Sequence, residues 1–226
     1  MHEPPPDFVD VMRAAQLEPA AAREFWIRRK LPAIAAYREP IYAETSHLFC
    51  EGFVEPLLSL GVVPDIVVLI RNARDVALSL HRIGTIPGRS AIGLKYLVGP
   101  DDPGVLPLAG WREMNDYQLC YWYCLEIERR ARIYERLISE KGGKVITVNL
   151  AELNTLTGFN RLKFELDLPS PRFMDWARYL RNKGRRVNTK SELQHNQCPR
   201  QIDRLERQVL ESAVMCPDPL HFRVHV

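Results

Sequence analysis

Between Asp65 and Leu80 the chain reads DIVVLIRNARDVALSL, and this stretch restricts the fold more tightly than any other. The unbroken apolar run Ile66–Ile70 suits a strand buried on both faces of a parallel sheet. Arg71 and Asn72 then end it, and the pattern becomes helical at once, predicting a helix over Ala73–Arg82. Asn72 is a good N-cap, Asp75 favours the positive helix end, and Val76, Leu78 and Leu80 can pack on the sheet. Two readings of the junction stand side by side. It is an ordinary capped strand–helix turn, or a seat for an anion in which the Arg71 guanidinium joins the unpaired amides of a helix N-terminus. Ser79, two turns along, adds a hydroxyl to the second reading.

Other segments repeat the strand–helix alternation. Residues 1–39 read as helical, with Phe25, Ile27, Leu31 and Ile34 on one apolar stripe that Pro32 should kink or divide. Residues 40–49 (PIYAETSHLF) form a first strand candidate, followed by a short helix that ends at Gly61. Leu119, Tyr123, Ile127, Ala131, Tyr134 and Ile138 recur at helical steps over 115–141, and Gly142-Gly143 closes that helix. KVITVNL over 144–150 is another strand, and Ile202, Leu205 and Val209 mark a last helix within a C-terminal part, 190–226. Residues 83–110 hold six of the twelve glycines and four prolines, so a long loop is expected there. Strands alternating with helices predict one α/β domain over 1–226, built on a parallel sheet whose ligands bind beyond the carboxyl ends of the strands.

Composition narrows the function. A net charge of +3 and a pI near 8.6 suit a small anionic ligand and argue against nucleic acid as partner. The five cysteines are odd in number and scattered, which favours a reducing compartment. Cys120 and Cys124, one turn apart, read as core, and so do His221 and His225 in the tail; no metal site is expected. No apolar run approaches a membrane span and the N-terminus resembles no targeting segment, so a cytoplasmic protein is expected.

The segment IRNARDVALS resembles the 3′-phosphate-binding segment of sulfotransferases that use 3′-phosphoadenosine 5′-phosphosulfate (PAPS). In that family a strand ends in Arg-Asn, a basic residue and an aspartate follow, and a serine comes eight residues after the arginine. Arg71, Asn72, Arg74, Asp75 and Ser79 match in turn. ETSHLF over 44–49 resembles the family strand written Lys-x-His-Leu-Pro, whose histidine is the general base. That position is His47 here; Thr45 and Phe49 replace the lysine and the proline, and Glu44 is the alternative base. Histidine, with an unperturbed pKa near 6.5, suits proton removal from an acceptor hydroxyl. A neutral, hydrogen-bonded histidine near a strand end is the competing reading. NKGRR over 182–186 resembles the Arg-Lys-Gly stretch that also grips the 3′-phosphate, with Lys183 and Gly184 matching and Asn182 in place of the arginine; a solvated basic loop reads the same residues. In VITVNLAEL, Asn149 stands where the family usually has a tyrosine.

The resemblance implies a three-layer parallel sheet of the P-loop nucleotide-kinase type and transfer of a sulfuryl group from PAPS to a hydroxyl or amine. It further implies PAPS or 3′-phosphoadenosine 5′-phosphate (PAP) as the nucleotide, and a small-molecule or glycan acceptor selected by the loop 83–110. The family's first strand and its glycine-rich 5′-phosphosulfate loop have no counterpart, since no glycine precedes Gly52. GRSAIGLK over 88–95 only imitates such a loop, with Leu94 where its lysine belongs. The absent strand should lie between the strand ending at Arg71 and the one starting at Val145, leaving two apolar edges unpartnered. Truncation of a longer protein, which ranks first, a degenerate non-catalytic binding or scaffold protein, and supply of the missing strand from elsewhere, including a partner chain, all fit this pattern; a homo-oligomer is a separate expectation.

Overall fold

The computed structural model describes residues 5–153, 155–169, 180–181 and 199–213. Its sheet has two strands, β1 (Ile66–Ile70) and β2 (Val145–Asn149), paired in parallel with Val68 opposite Thr147. Among the described residues the rest is helix, turn or coil apart from isolated bridge residues, so the chain is α/β with helix dominant. The two strands expected to flank a missing partner pair directly with each other. Burial of β1 on both faces is likewise not what forms: Val67, Leu69 and Ile70 remain 39%, 48% and 44% exposed. Side chains project from the faces of a sheet, and those of β1 are incompletely covered, while Ile146 and Val148 of β2 are buried.

The N-terminal part is helical, with a displaced phase. After a 3-10 turn at Phe8–Asp10 come α1 (Met12–Leu17), α2 (Pro19–Phe25), a π-helical turn at Trp26–Lys30 and α3 (Leu31–Ala35). Pro32 offers no amide and its ring crowds the carbonyl four residues back; the wide turn just before it absorbs the misfit. The extra residue rotates the stripe, so Ile27 points to solvent and Lys30 is buried instead. Lys30 Nζ bonds Glu44 Oε2 at 2.8 Å and lies 4.7 Å from the Phe8 ring centroid. Phe8 packs 4.7 Å from Phe53, and Trp26 Nε1 donates to the Phe53 carbonyl at 2.9 Å. These contacts fasten the N-terminal helices to α4 (Val54–Ser59).

Residues 40–49 form no strand. They run as extended coil with one bridge residue, Thr45, into a 3-10 turn at Leu48–Cys50, where the Ser46 hydroxyl accepts from the Leu48 amide. A side chain that caps a turn competes with strand pairing.

The long α7 (Asp116–Glu140) is the spine of the core, opened by a reciprocal cap between Asn115 and Gln118. It packs along α5 (Ala73–Arg82), and Tyr117, Leu119, Trp122, Tyr123, Tyr134 and Ile138 are buried on it. The segment 83–110 holds α6 (Ala91–Tyr96) and is drawn into the core through Ile86, Leu97, Val98, Leu106 and Leu108. Trp122 Nε1 donates to the Leu106 carbonyl, and Glu126 Oε2 accepts from the Leu106 amide, both at 2.9 Å. A side chain at Gly93 would meet the Ile86 carbonyl at 1.9 Å, so GRSAIGLK closes on its own backbone around a packing glycine. The expected acceptor loop is thus a fixed layer of the core. The chain continues through α8 (Leu150–Leu153), α9 (Leu156–Glu165) and α10 (Pro199–Ser212).

Charge is buried beside α7. Arg130 Nε bonds Glu126 at 2.5 Å, and its Nη1 reaches the Cys50 carbonyl at 3.1 Å. Glu51 is fully buried with only its Oε1 bonded, by Tyr123 at 2.7 Å. Desolvation pushes the Glu51 carboxyl up to about 8, against the opposing pull of Tyr123 and Arg130, with nearby Asp102 adding a little to the rise. Such a carboxyl holds its proton in the folded state while the unfolded chain has released it. Its contribution is therefore full below the ordinary carboxyl pKa and is lost as pH rises towards 8. Glu51→Gln should stabilise the fold by about 2 kcal/mol at pH 8 and change it little at pH 4.5, measured by urea unfolding. Equal effects at both pH values would contradict the buried neutral acid.

Candidate functional site

The two strands end level, with Ile70 opposite Asn149; β1 reaches α5 through Arg71 and Asn72, and β2 passes directly into α8. Asn72 Oδ1 accepts from the Asp75 amide at 3.2 Å and caps α5; Asn149 Oδ1 accepts from the Ala151 amide at 2.9 Å at the head of α8. Asn149 thus serves as a local cap. Arg71 stands at this mouth, exposed, and has no hydrogen bond or ion pair among the described residues. A guanidinium beside a helix N-terminus, with no carboxylate to neutralise it, is chemically suited to grip a phosphate by two oxygens. Ser79 lies on α5, half-buried, and its hydroxyl is without a partner among the described residues. Seven residues of helix put it about 10 Å along the axis from the cap.

The other basic residue of the motif has a different task. Arg74 Nε and Nη2 grip Glu206 of α10 at 2.8 and 2.5 Å, and Nη2 also reaches Asp203 at 2.6 Å. These two carboxylates raise the Arg74 pKa further above its ordinary value. Tyr117 donates to Glu206 Oε1 at 2.5 Å, so one carboxylate ties α5, α7 and α10 together. Burial, then Glu206, raises the Tyr117 phenol as well.

The proposed bases lie away from β1 in the chain order, beyond α4. His47 is exposed at the head of the 3-10 turn, its carbonyl accepting from the Cys50 thiol at 3.1 Å. Glu44 is held by Lys30 and by Tyr42, whose hydroxyl donates at 2.5 Å. That carboxylate is committed to a buried cation, which opposes service as a base. Lys183 and Gly184 lie outside the described residues, as do His221 and His225. Cys120 and Cys124 are buried, and desolvation pushes both thiols up to about 12, which fits core packing. Among the described residues no group of His, Cys, Asp or Glu is arranged to hold a metal ion, and no helix is long and apolar enough to cross a membrane. A shallow depression lined by Gly110, Glu113, Gln118 and Gln208 sits at the α7–α10 seam and contains no residue of the motif.

Sequence reasoning missed the buried ion pairs. Glu126 and Arg130 fall in the apolar phase of α7, between Tyr123 and Tyr134, and charge inside that stripe was the available signal. No family model, no curated protein and no solved structure matches this chain.

The two arginines should separate cleanly in stability. Arg74→Ala leaves Glu206 buried without its cation and should cost about 2–3 kcal/mol, whereas Arg71→Ala should stay within about 0.5 kcal/mol of the parent in urea unfolding. Equal costs would contradict the division of roles.

Proposed function

We propose that the chain is a sulfotransferase-like nucleotide-binding protein that takes PAPS or PAP at the mouth of its parallel strands. Arg71 grips the 3′-phosphate, the Ala73 and Arg74 amides at the head of α5 face it, and Ser79 donates a further hydrogen bond; the resemblance adds Lys183 and Gly184, which lie outside the described residues. The observation that carries this reading is the exposed Arg71 guanidinium, without an ion pair among the described residues, at the end of a strand that feeds an Asn-capped helix. The residues present suit the 3′ half of the nucleotide. They do not suit the 5′-phosphosulfate, since among the described residues no glycine-rich turn follows a strand to cradle it.

Sulfuryl transfer to a hydroxyl or amine, with His47 taking the acceptor proton, is the reaction this reading implies once such a cradle is supplied. The direct pairing of β1 with β2 favours the non-catalytic form, a binding protein of sulfotransferase type, because it fills the place between the strands where the cradle's own strand belongs in that family. The P-loop-type sheet is then present only as its β1–β2 remnant.

Titration with PAP, followed by thermal unfolding, tests the site. At a hundred times the dissociation constant a bound nucleotide stabilises by about 2.7 kcal/mol. The gain should vanish in Arg71→Ala, shrink in Ser79→Ala, and be weaker for adenosine 5′-phosphosulfate, which lacks the 3′-phosphate. No stabilisation of the parent protein, or one that survives Arg71→Ala, would overturn the reading.

A further inference from the structure

The apolar strand β1 is paired on one side only. The Ile66 amide donates to the Lys144 carbonyl at 2.8 Å, which fixes the alternation of the parallel ladder. Ile66, Val68 and Ile70 therefore turn their backbone groups towards β2, and Val67 and Leu69 turn theirs outwards. Among the described residues no strand lies along that outer edge. Edges of this kind are normally blunted by a lysine, a proline or a bulge. Within Ile66–Ile70 there is none, and Val67, Leu69 and Ile70 are 39%, 48% and 44% exposed.

We propose that this edge is the contact by which two copies of the chain associate, β1 against β1, antiparallel about a two-fold axis at Val68. The flanking charges select the occupant. Asp65 lies three residues before Val68 and Arg71 three residues after it. A two-fold axis at Val68 therefore sets each Asp65 opposite the Arg71 of the other copy, twice over. Asp65 and Arg71 are both exposed, and neither has an ion pair among the described residues. Asp65 accepts the Lys144 amide through Oδ1 at 2.8 Å and lies within electrostatic reach of the Lys144 ammonium, and its Oδ2 has no hydrogen bond among the described residues.

The hydrogen-bond directions agree with this register. In an antiparallel pair, residues whose groups face the partner must stand opposite one another. Centring on Val68 places Val67 opposite Leu69 and Asp65 opposite Arg71, all four facing outwards. Of the two-fold registers that satisfy this condition, it is the one that overlaps Ile66–Ile70 completely. The result is one continuous sheet ordered β2–β1–β1–β2, a closed isologous contact that stops at two copies on this edge. Opposite charges directly across such a ladder favour the pairing, and like charges oppose it.

The symmetry supplies its own test, read by sedimentation equilibrium with circular dichroism as the check on folding. The parent protein should be dimeric at about 100 µM, a modest demand for a small interface. Arg71→Asp and Asp65→Arg each create like-charge pairs across the seam and should each weaken dimerisation at least about tenfold. An equimolar mixture of the two variants should form a heterodimer, because both cross pairs are again opposite in sign. The double variant D65R/R71D should recover the homodimer. Val67→Lys, at an exposed position that leaves both charges in place, should give a folded monomer. A parent protein that is monomeric at that concentration overturns the proposal, as would be found if the edge served a strand from a different protein. Folded single variants whose mixture stays monomeric, or a Val67→Lys variant that dimerises like the parent, overturn it too. PAP and the second copy compete for the Arg71 guanidinium, and the nucleotide reading still fails separately, because Asp65→Arg and Val67→Lys both retain Arg71 for titration with PAP.

Discussion

The parallel pairing of β1 with β2 is the joint from which the functional geometry follows. Its lower end is locked three ways: the Ile66 amide bonds the Lys144 carbonyl, the Lys144 amide bonds Asp65, and Gly143 fits where any side chain would meet Ile138, Val63 and the Pro64 carbonyl within 3 Å. With the start fixed, the register brings both strand ends to one level, where Asn72 and Asn149 turn the chain into helices. Arg71 follows the end of β1 at this capped turn, exposed and without an ion pair among the described residues. The free edge comes from the pairing itself, since two strands that pair with each other leave two outer sides.

Electrostatics divides the remaining labour. Arg74, three residues after Arg71, is spent on Glu206 and Asp203 and carries α10 onto the core. Lys30 and Glu44 pair under the N-terminal helices, and Arg130 and Glu126 pair beside α7. Buried ions without partners are costly, so each of these cations has a carboxylate close by. Arg71 lies outside this scheme. It has no ion pair among the described residues, and both proposed roles rest on an anion supplied from outside, a phosphate in one and the carboxylate of a second copy in the other.

Much of this was legible in the residues. The α5 and α7 helices announced themselves through caps and apolar phase, and the two strands through short apolar runs between breakers. Asn72 as a cap and Gly142-Gly143 as a stop are local features that neighbours do not override. The errors share a cause, which is that they depended on tertiary partners. Residues 40–49 have strand-forming composition, but Ser46 caps a turn and Lys30 draws Glu44 inwards. Ile27 left its predicted stripe because Pro32 imposes a wide turn ahead of it. The glycines and prolines of 83–110 predicted an open loop, yet Leu97, Val98 and Leu106 are as buried as any helix residue. Irregular backbone can be core when side chains such as Trp122 and Glu126 satisfy its polar groups. At the site, Arg71 and Ser79 could be named from the motif; the carboxylates that claim Arg74 lie some 130 residues away and could not.

The claim that sustains the rest is that β1 touches β2 with nothing between them. Adjacent strands lie about 4.8 Å apart, and an intervening strand would double that separation, beyond the reach of a proton–proton Overhauser effect. In a uniformly labelled sample, backbone Overhauser contacts should link Val67–Leu69 of β1 to Ile146–Val148 of β2 in the parallel pattern, with Val68 opposite Thr147. Their absence, with both strands instead in contact with one common third segment, would contradict the account.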